Sequence, residues 1–176
     1  MSFAAELELT NPPSFPDAIA HTEKLLSHSD RLTDLELEKL LINLLQTSNG
    51  SRGFFVCYLT GNWQLADHPN QPIVNALTTC ADSIAELLVK NLAMSTAMAI
   101  THQHQGSHEQ ATGSEQVARR SLHLIKLLNL PTIAQIATQL HRSATSGDGD
   151  YASFLDKWGY DQEQRKAIAV SLEMVE

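Results

Sequence analysis

The stretch that decides the fold is residues 82–104, DSIAELLVKNLAMSTAMAITHQH. Asp82, Glu86 and Lys90 stand four residues apart, so on a helix they form one charged stripe in which Glu86 and Lys90 are a favourable pair. Beyond Lys90 the charges stop, and apolar residues cover nearly the whole circumference. Because a helix that is apolar all round is buried, this segment is expected to be the central helix of a bundle.

A second strong helix is predicted upstream. Residues 33–36, TDLE, match a capping box in which Thr33 caps the helix and Glu36 reaches back. The leucines that follow recur at spacings of three and four, as on one face of a helix: Leu37, Leu40, Leu41, Leu44 and Leu45. Asn49-Gly50 is expected to end this helix, and Gly50-Ser51-Arg52-Gly53 is interpreted as a turn.

One short segment, residues 54–59 (FFVCYL), is compatible with either a helix or a buried strand. No second alternating run exists to pair with it, and an isolated strand is not stable. A short buried helix is therefore favoured.

These patterns predict an all-α fold, a single-domain bundle of about six to eight helices around the buried helix 82–104. Residues 14–176 form this domain, and residues 1–13, which end in Pro12-Pro13, form an irregular arm. No repeat of fixed period and no linker between two cores is present.

The composition limits the classes of function. The chain has 176 residues, 43% of them hydrophobic, and a formal net charge of −8. That charge disfavours nonspecific contact with nucleic acid or an anionic membrane. Residues 1–11 do not form a signal peptide, and residues 91–108 are too polar for a membrane span. With two cysteines that make no disulfide framework, the expectation is a soluble protein of the cytoplasm.

The densest group of potential metal ligands is His102, His104 and His108 with Glu109. Imidazoles bind zinc or iron, and a carboxylate can complete such a site. Residues two apart on a helix point in different directions, and Gly106 is expected to break the helix before His108. Exposed loop histidines are therefore the preferred interpretation, and no cofactor is predicted.

The basic residues cluster in one place. Residues 114–142 carry four basic groups and one acidic group, a net charge of +3 in an acidic chain. Arg119, Arg120, His123 and Lys126 lie near one another on a helix face that is a candidate for binding an acidic partner. The preferred interpretation is that these cations favour the C-terminal half of a helix through its dipole.

No catalytic signature is present. Residues 108–112 begin like a zinc-protease motif, but Thr112 stands where the second histidine is needed. The first hypothesis is therefore a non-enzymatic helical interaction domain that binds a protein partner or a second copy of itself as a homodimer. Trp63 is a candidate interface anchor if its loop exposes it. The second hypothesis is a protein or enzyme that binds a small molecule or metal beside the helix 82–104 and its histidines.

Two segments carry a resemblance: residues 53–61, GFFVCYLTG, and residues 87–98, LLVKNLAMSTAM. Both resemble small uncharacterised all-helical proteins of cyanobacteria. The resemblance implies a cytoplasmic location and a link to photosynthetic cell biology, and it transfers no functional residue.

Overall fold

The structure is a computed structural model that describes residues 3–175, and it confirms the all-α prediction: no strand occurs among these residues. The α-helices are α1 Phe15–Ser27, α2 Asp34–Leu45, α3 Ser48–Thr60, α4 Gln64–Asp67, α5 Gln71–Thr79, α6 Ala81–His104, α7 His108–Leu128, α8 Pro131–Ser146, α9 Ala152–Lys157 and α10 Gln162–Glu173. Apart from the short helices α4 and α9, the described residues 3–175 contain eight α-helices, which agrees with the six to eight predicted.

Local side-chain hydrogen bonds fix where several helices begin. Thr33 and Glu36 form the predicted capping box, in which the Thr33 N–H donates to Glu36 Oε2 at 2.9 Å and the Glu36 N–H donates to Thr33 Oγ1. Asp161 and Gln164 form a second capping box at the start of α10. Each box satisfies backbone donors that the first helical turn leaves without a partner.

The ambiguous segment 54–59 is helical and lies inside α3. Its aromatic side chains Phe54, Phe55 and Tyr58 are buried, and the rings of Phe54 and Tyr58 stack with centroids 5.0 Å apart. The prediction that Asn49-Gly50 ends the preceding helix is wrong, because α2 ends at Leu45 and α3 begins at Ser48. The interpretation of residues 50–53 as a turn is wrong for the same reason.

Close packing explains why glycines occur inside α3. A Cβ atom added at Gly53 would stand 2.5 Å from the Cβ of Ala18 in α1. A Cβ atom at Gly50 would overlap the carbonyl oxygen of Leu44 at the end of α2. Both glycines therefore permit a neighbouring segment to approach α3, and neither marks a turn.

Contacts within the chain define two units, with the boundary between Ile84 and Ala85. In the first unit, α1 packs against α3, and α2 packs against α3 and α5. In the second unit, α8 packs against both α9 and α10. That residues 14–176 are one domain stays a prediction.

The N-terminal segment, predicted to be an irregular arm, contains one short 3-10 helix, Ala5–Leu7. Leu7 and Pro13 are buried. The carbonyl of Pro13 accepts a hydrogen bond from Asn49 Nδ2 at 3.3 Å, which ties the end of the segment to α3. Residues 1 and 2 of the predicted arm lie outside the described residues.

Helix α6 packs as the predicted core helix, with one side buried from Ile84 to Ala99. The residues below 2% exposure are Ile84, Ala85, Leu88, Val89, Leu92, Ala93 and Ala97. Met94 and Met98 are only half-buried, so the burial does not extend around the whole circumference. The predicted pair is present, with Lys90 Nζ 3.1 Å from Glu86 Oε1.

Lys90 also contacts aromatic residues of its own unit, the second. Its Nζ atom lies 5.1 Å from the ring centroid of Phe154 and 5.6 Å from that of Tyr151. Burial, followed by the neighbouring Glu86 carboxylate, raises the pKa of Tyr151 to about 12. This cation–π cluster attaches the start of α9 to α6.

Candidate functional site

The histidines of the candidate metal site are separated. His102 and His104 lie in the last turn of α6, whereas His108 and Glu109 lie in the first turn of α7. His104 Nε2 lies 3.4 Å from Glu163 Oε2 of α10, and His102 Nδ1 is buried without a hydrogen-bond partner. Among residues 3–175, no three His, Cys, Asp or Glu side chains converge as a metal site.

The basic cluster lies on α7, but not all of it reaches the surface. Arg120 is only 3% exposed, and so it is not available to a partner on the face where the sequence places it. Arg119, His123 and Lys126 are exposed. That these three residues bind a partner stays a prediction.

Trp63 is half-buried and is used inside the first unit. Its indole Nε1 donates to the carbonyl of Cys57 at 2.9 Å, and the ring covers Gly61 at the end of α3. Cys57 also carries a thiol in this part of the first unit, and burial raises the pKa of that thiol. This side chain therefore completes the C-terminal end of α3.

A groove lies between α8 and α10 in the second unit. Four of its lining residues are buried and three of them are alanines: Ala137 and Ala144 of α8, and Ala169 with Leu172 of α10. Because alanine side chains are small, they leave the space between the outer edges of α8 and α10 unfilled, and this space is the groove. It consists of two adjoining cavities, of about 210 Å³ and about 680 Å³, which both have Glu173 in their lining and which we call its narrow and wide parts.

The residues that line the groove show that α8 and α10 are antiparallel. Ala134, near the start of α8, lines the narrow part with Val175, and Thr145, near the end of α8, lines the wide part with Gln162. The groove follows α8 for about three turns, or about 17 Å at 1.5 Å per residue.

Charged groups occupy both parts of the groove. In the narrow part, His141 Nε2 of α8 lies 3.2 Å from Glu173 Oε1 of α10. In the wide part, Arg165 is held inside its own unit, since its Nη2 lies 2.8 Å from Asp156 Oδ1 and its Nε donates to the Tyr160 carbonyl. The neighbouring Lys166 is exposed and makes no ion pair with the described residues.

Two large apolar side chains stand exposed beside this groove. Val170, which lines the wide part, is 50% exposed, and Met174, the residue that follows α10, is 51% exposed. We call the surface that they form with the groove the α8–α10 face. Its members are Ala134, Thr138, His141 and Thr145 of α8, Lys166, Val170 and Glu173 of α10, and Met174 directly after α10.

Comparison with known proteins identifies the family. A model of the family described as uncharacterised conserved protein UCP020893 matches residues 14–175. The chain belongs to this family. No curated protein and no solved structure matches the chain.

The family match includes every helix of the α8–α10 face and excludes the N-terminal segment before Ser14. It also includes α6, which is long and apolar enough to cross a membrane by length and composition alone. Half of the apolar window in α6 is buried inside the structure.

Sequence reasoning did not find the α8–α10 face. His141 was not a candidate, because its partner Glu173 is 32 residues away in the chain. The available signal was the alanine spacing in α8, where Ala134, Ala137 and Ala144 fall on one helical face. An alanine face is typical of close helix packing, and the sequence does not show that part of it stays open.

Proposed function

We propose that this member of the family is a non-enzymatic, self-associating interaction domain that uses the α8–α10 face. The observation that carries the proposal is the pairing of exposed Val170 and Met174 with an alanine-lined groove on the same surface. Exposed apolar side chains beside a concavity are typical of protein interaction sites.

A second copy of the chain is the proposed occupant, because the face is complementary to itself. Val170 and Met174 project from it, and the wide part of the groove lies next to Val170. The face also carries both signs of charge, Lys166 and Glu173, on one helix. A surface with a projection, a recess and opposite charges suits an isologous interface, in which the same surface is used twice.

The size of the face limits the strength of the association. A contact made by two helices per copy falls at or below the area of standard stable interfaces. The proposed dimer is therefore weak and depends on protein concentration.

The amino-acid composition supports a proposal about where the protein is located and about which classes of partner it does not bind. We propose a soluble cytoplasmic protein that binds neither nucleic acid nor membrane, supported by the net charge of −8. The resemblance of residues 53–61 and 87–98 to small helical proteins supports a cyanobacterial type.

Sedimentation equilibrium of the purified chain tests the proposal, over roughly 5–500 µM, where small interfaces become populated. Wild-type protein is expected to pass from monomer to dimer. Val170→Asp places an unpaired carboxylate in the interface and is expected to weaken the dimer about tenfold or more.

Val56→Asp is the matched control, since Val56 is 43% exposed on α3 in the other unit. It is expected to leave the dimer unchanged. A wild-type chain that stays monomeric throughout, or equal weakening by both variants, contradicts the proposal.

A further inference from the structure

We infer that two copies pair through α10 in antiparallel orientation around a two-fold axis at Val170, so that Lys166 of each copy binds the partner's Glu173. This inference rests on the proposed self-association and adds its geometry. It names which residues of the α8–α10 face meet.

The spacing on α10 supports this arrangement. Lys166, Val170, Glu173 and Met174 are separated by four, three and one residues, so they lie within about one-third of the helix circumference. With Val170 on the axis of an antiparallel pair, position 166 lies opposite the partner's position 174. Glu173 is the neighbouring residue, within reach of a lysine side chain at the usual helix separation of about 8–10 Å.

Charge excludes the parallel alternative. In a parallel pair, Lys166 would lie beside the partner's Lys166 and Glu173 beside the partner's Glu173. Like charges in such positions are unfavourable, whereas the antiparallel pair brings two opposite-charge contacts. Among the described residues of the α8–α10 face, Lys166 is the one lysine or arginine, and the neighbouring Arg165 is engaged by Asp156.

The side of α10 that carries the two charges fits the same orientation. Lys166 and Glu173 both line the wide part of the groove, so both lie on the groove side of Val170. A two-fold axis at Val170 keeps the partner's Glu173 on that side, beside Lys166. His141 Nε2 lies 3.2 Å from Glu173 Oε1, which leaves Oε2 for the partner's Lys166.

A charge exchange between copies tests the geometry. Lys166→Glu and Glu173→Lys are prepared as separate proteins, and dimerisation is measured by sedimentation for each alone and for their equimolar mixture. A homodimer of either variant would contain two contacts between like charges. Each variant by itself is therefore expected to dimerise roughly tenfold more weakly than wild type. In the mixture, both contacts of the heterodimer are again of opposite sign, so dimerisation is expected to return to near the wild-type level.

The matched controls are Lys24→Glu and Glu23→Lys, which exchange exposed charges on α1. Alone or mixed, they are expected to dimerise like wild type. A wild-type chain that does not dimerise overturns both the proposed function and this inference. If wild type dimerises but the mixture of Lys166→Glu and Glu173→Lys stays as weak as its components, only the geometry is overturned.

Discussion

The Nε2 atom of Gln164 in α10 donates a hydrogen bond to the backbone carbonyl of Ala97 in α6, at 3.0 Å. Nε2 also donates to Thr101 Oγ1 at 2.8 Å, and Oε1 accepts the Asp161 N–H in the capping box of α10. The buried side-chain amide of Gln164 therefore caps the start of α10 and also fixes which side of α10 faces α6. Because Gln164 occupies the buried side of α10, the opposite side, with Lys166 and Val170, is left exposed.

Replacing Gln164 by leucine is expected to lower the free energy of unfolding by about 1–3 kcal/mol. The change keeps the size of the side chain but removes the bonds to Ala97 and Thr101 and half of the capping box. Urea denaturation measures the effect. Gln135→Leu, the same substitution at an exposed site of α8, is expected to change stability by no more than about 0.5 kcal/mol. Equal losses in the two variants would show that the Gln164 bonds contribute nothing specific.

Glycine-to-alanine substitutions are expected to have opposite signs at two helical sites. Gly53→Ala forces a Cβ atom against Ala18 and is expected to cost about 1–3 kcal/mol, since α1 and α3 must separate. Gly113→Ala on α7 meets no atom within 4 Å and is expected to stabilise the protein by about 0.5–1 kcal/mol through helix propensity. Thermal and urea unfolding of both variants check the signs. Stabilisation by Gly53→Ala would contradict the close approach of α1 and α3.

Stability is expected to fall in mild acid because of His21. Burial, assisted by the charge of Lys24, lowers the pKa of His21 below 6.5, and its Nε2 is buried without a hydrogen-bond partner. Below pH 6.5 the unfolded chain binds a proton that the folded chain does not, so the free energy of unfolding decreases as the pH falls towards the folded-state pKa. Above pH 6.5 this contribution is fully present.

The measurement is urea denaturation across this pH range for wild type, His21→Leu and, as a control at an exposed histidine, His108→Leu. His21→Leu is expected to flatten the pH dependence, and His108→Leu to retain it. An unchanged slope in His21→Leu would assign the acid sensitivity to other groups.

Alkaline pH is expected to destabilise the fold through its tyrosines. Burial raises the pKa of Tyr160 to about 12, from 10.0 for an exposed phenol. The unfolded chain loses this proton first, so the stability contributed by neutral Tyr160 is lost as the pH rises above 10.0. Tyr160→Phe is expected to reduce the loss and to remove one late-titrating phenol from the ultraviolet absorbance titration. Ionisation of Tyr160 at the pH of an exposed phenol would contradict its burial.

Local patterns predicted much of the fold. The capping box at Thr33 and the charged stripe ending at Lys90 depend on residues three or four apart, and the structure confirms both. The glycines of α3 misled the sequence interpretation, because their cause lies in Ala18 and Leu44, on other helices. A glycine that permits close packing looks the same in a sequence as one that ends a helix.

The candidate site depends more than these local features do on which helices pack against one another in the folded chain. Arg120 has the sequence context of a solvated helix face, yet the folded chain buries it. Conversely, Val170 and Met174 are apolar residues that the fold leaves half exposed. Neither outcome is encoded in local spacing, since each depends on which face of α7 or α10 another helix covers.

The most direct test of the central claim, that copies of the chain meet at the α8–α10 face, is a cysteine placed at position 170. On a two-fold axis, Val170→Cys lies next to the same residue of the partner, at a separation that a disulfide can span. Mild oxidation is expected to give a dimer with a disulfide between the two introduced cysteines, identified by peptide mass spectrometry, because Cys57 and Cys80 are buried. The matched variant Val56→Cys is expected to remain monomeric under the same conditions. No cross-linked Val170→Cys dimer, or one formed no faster than that of Val56→Cys, would contradict the account.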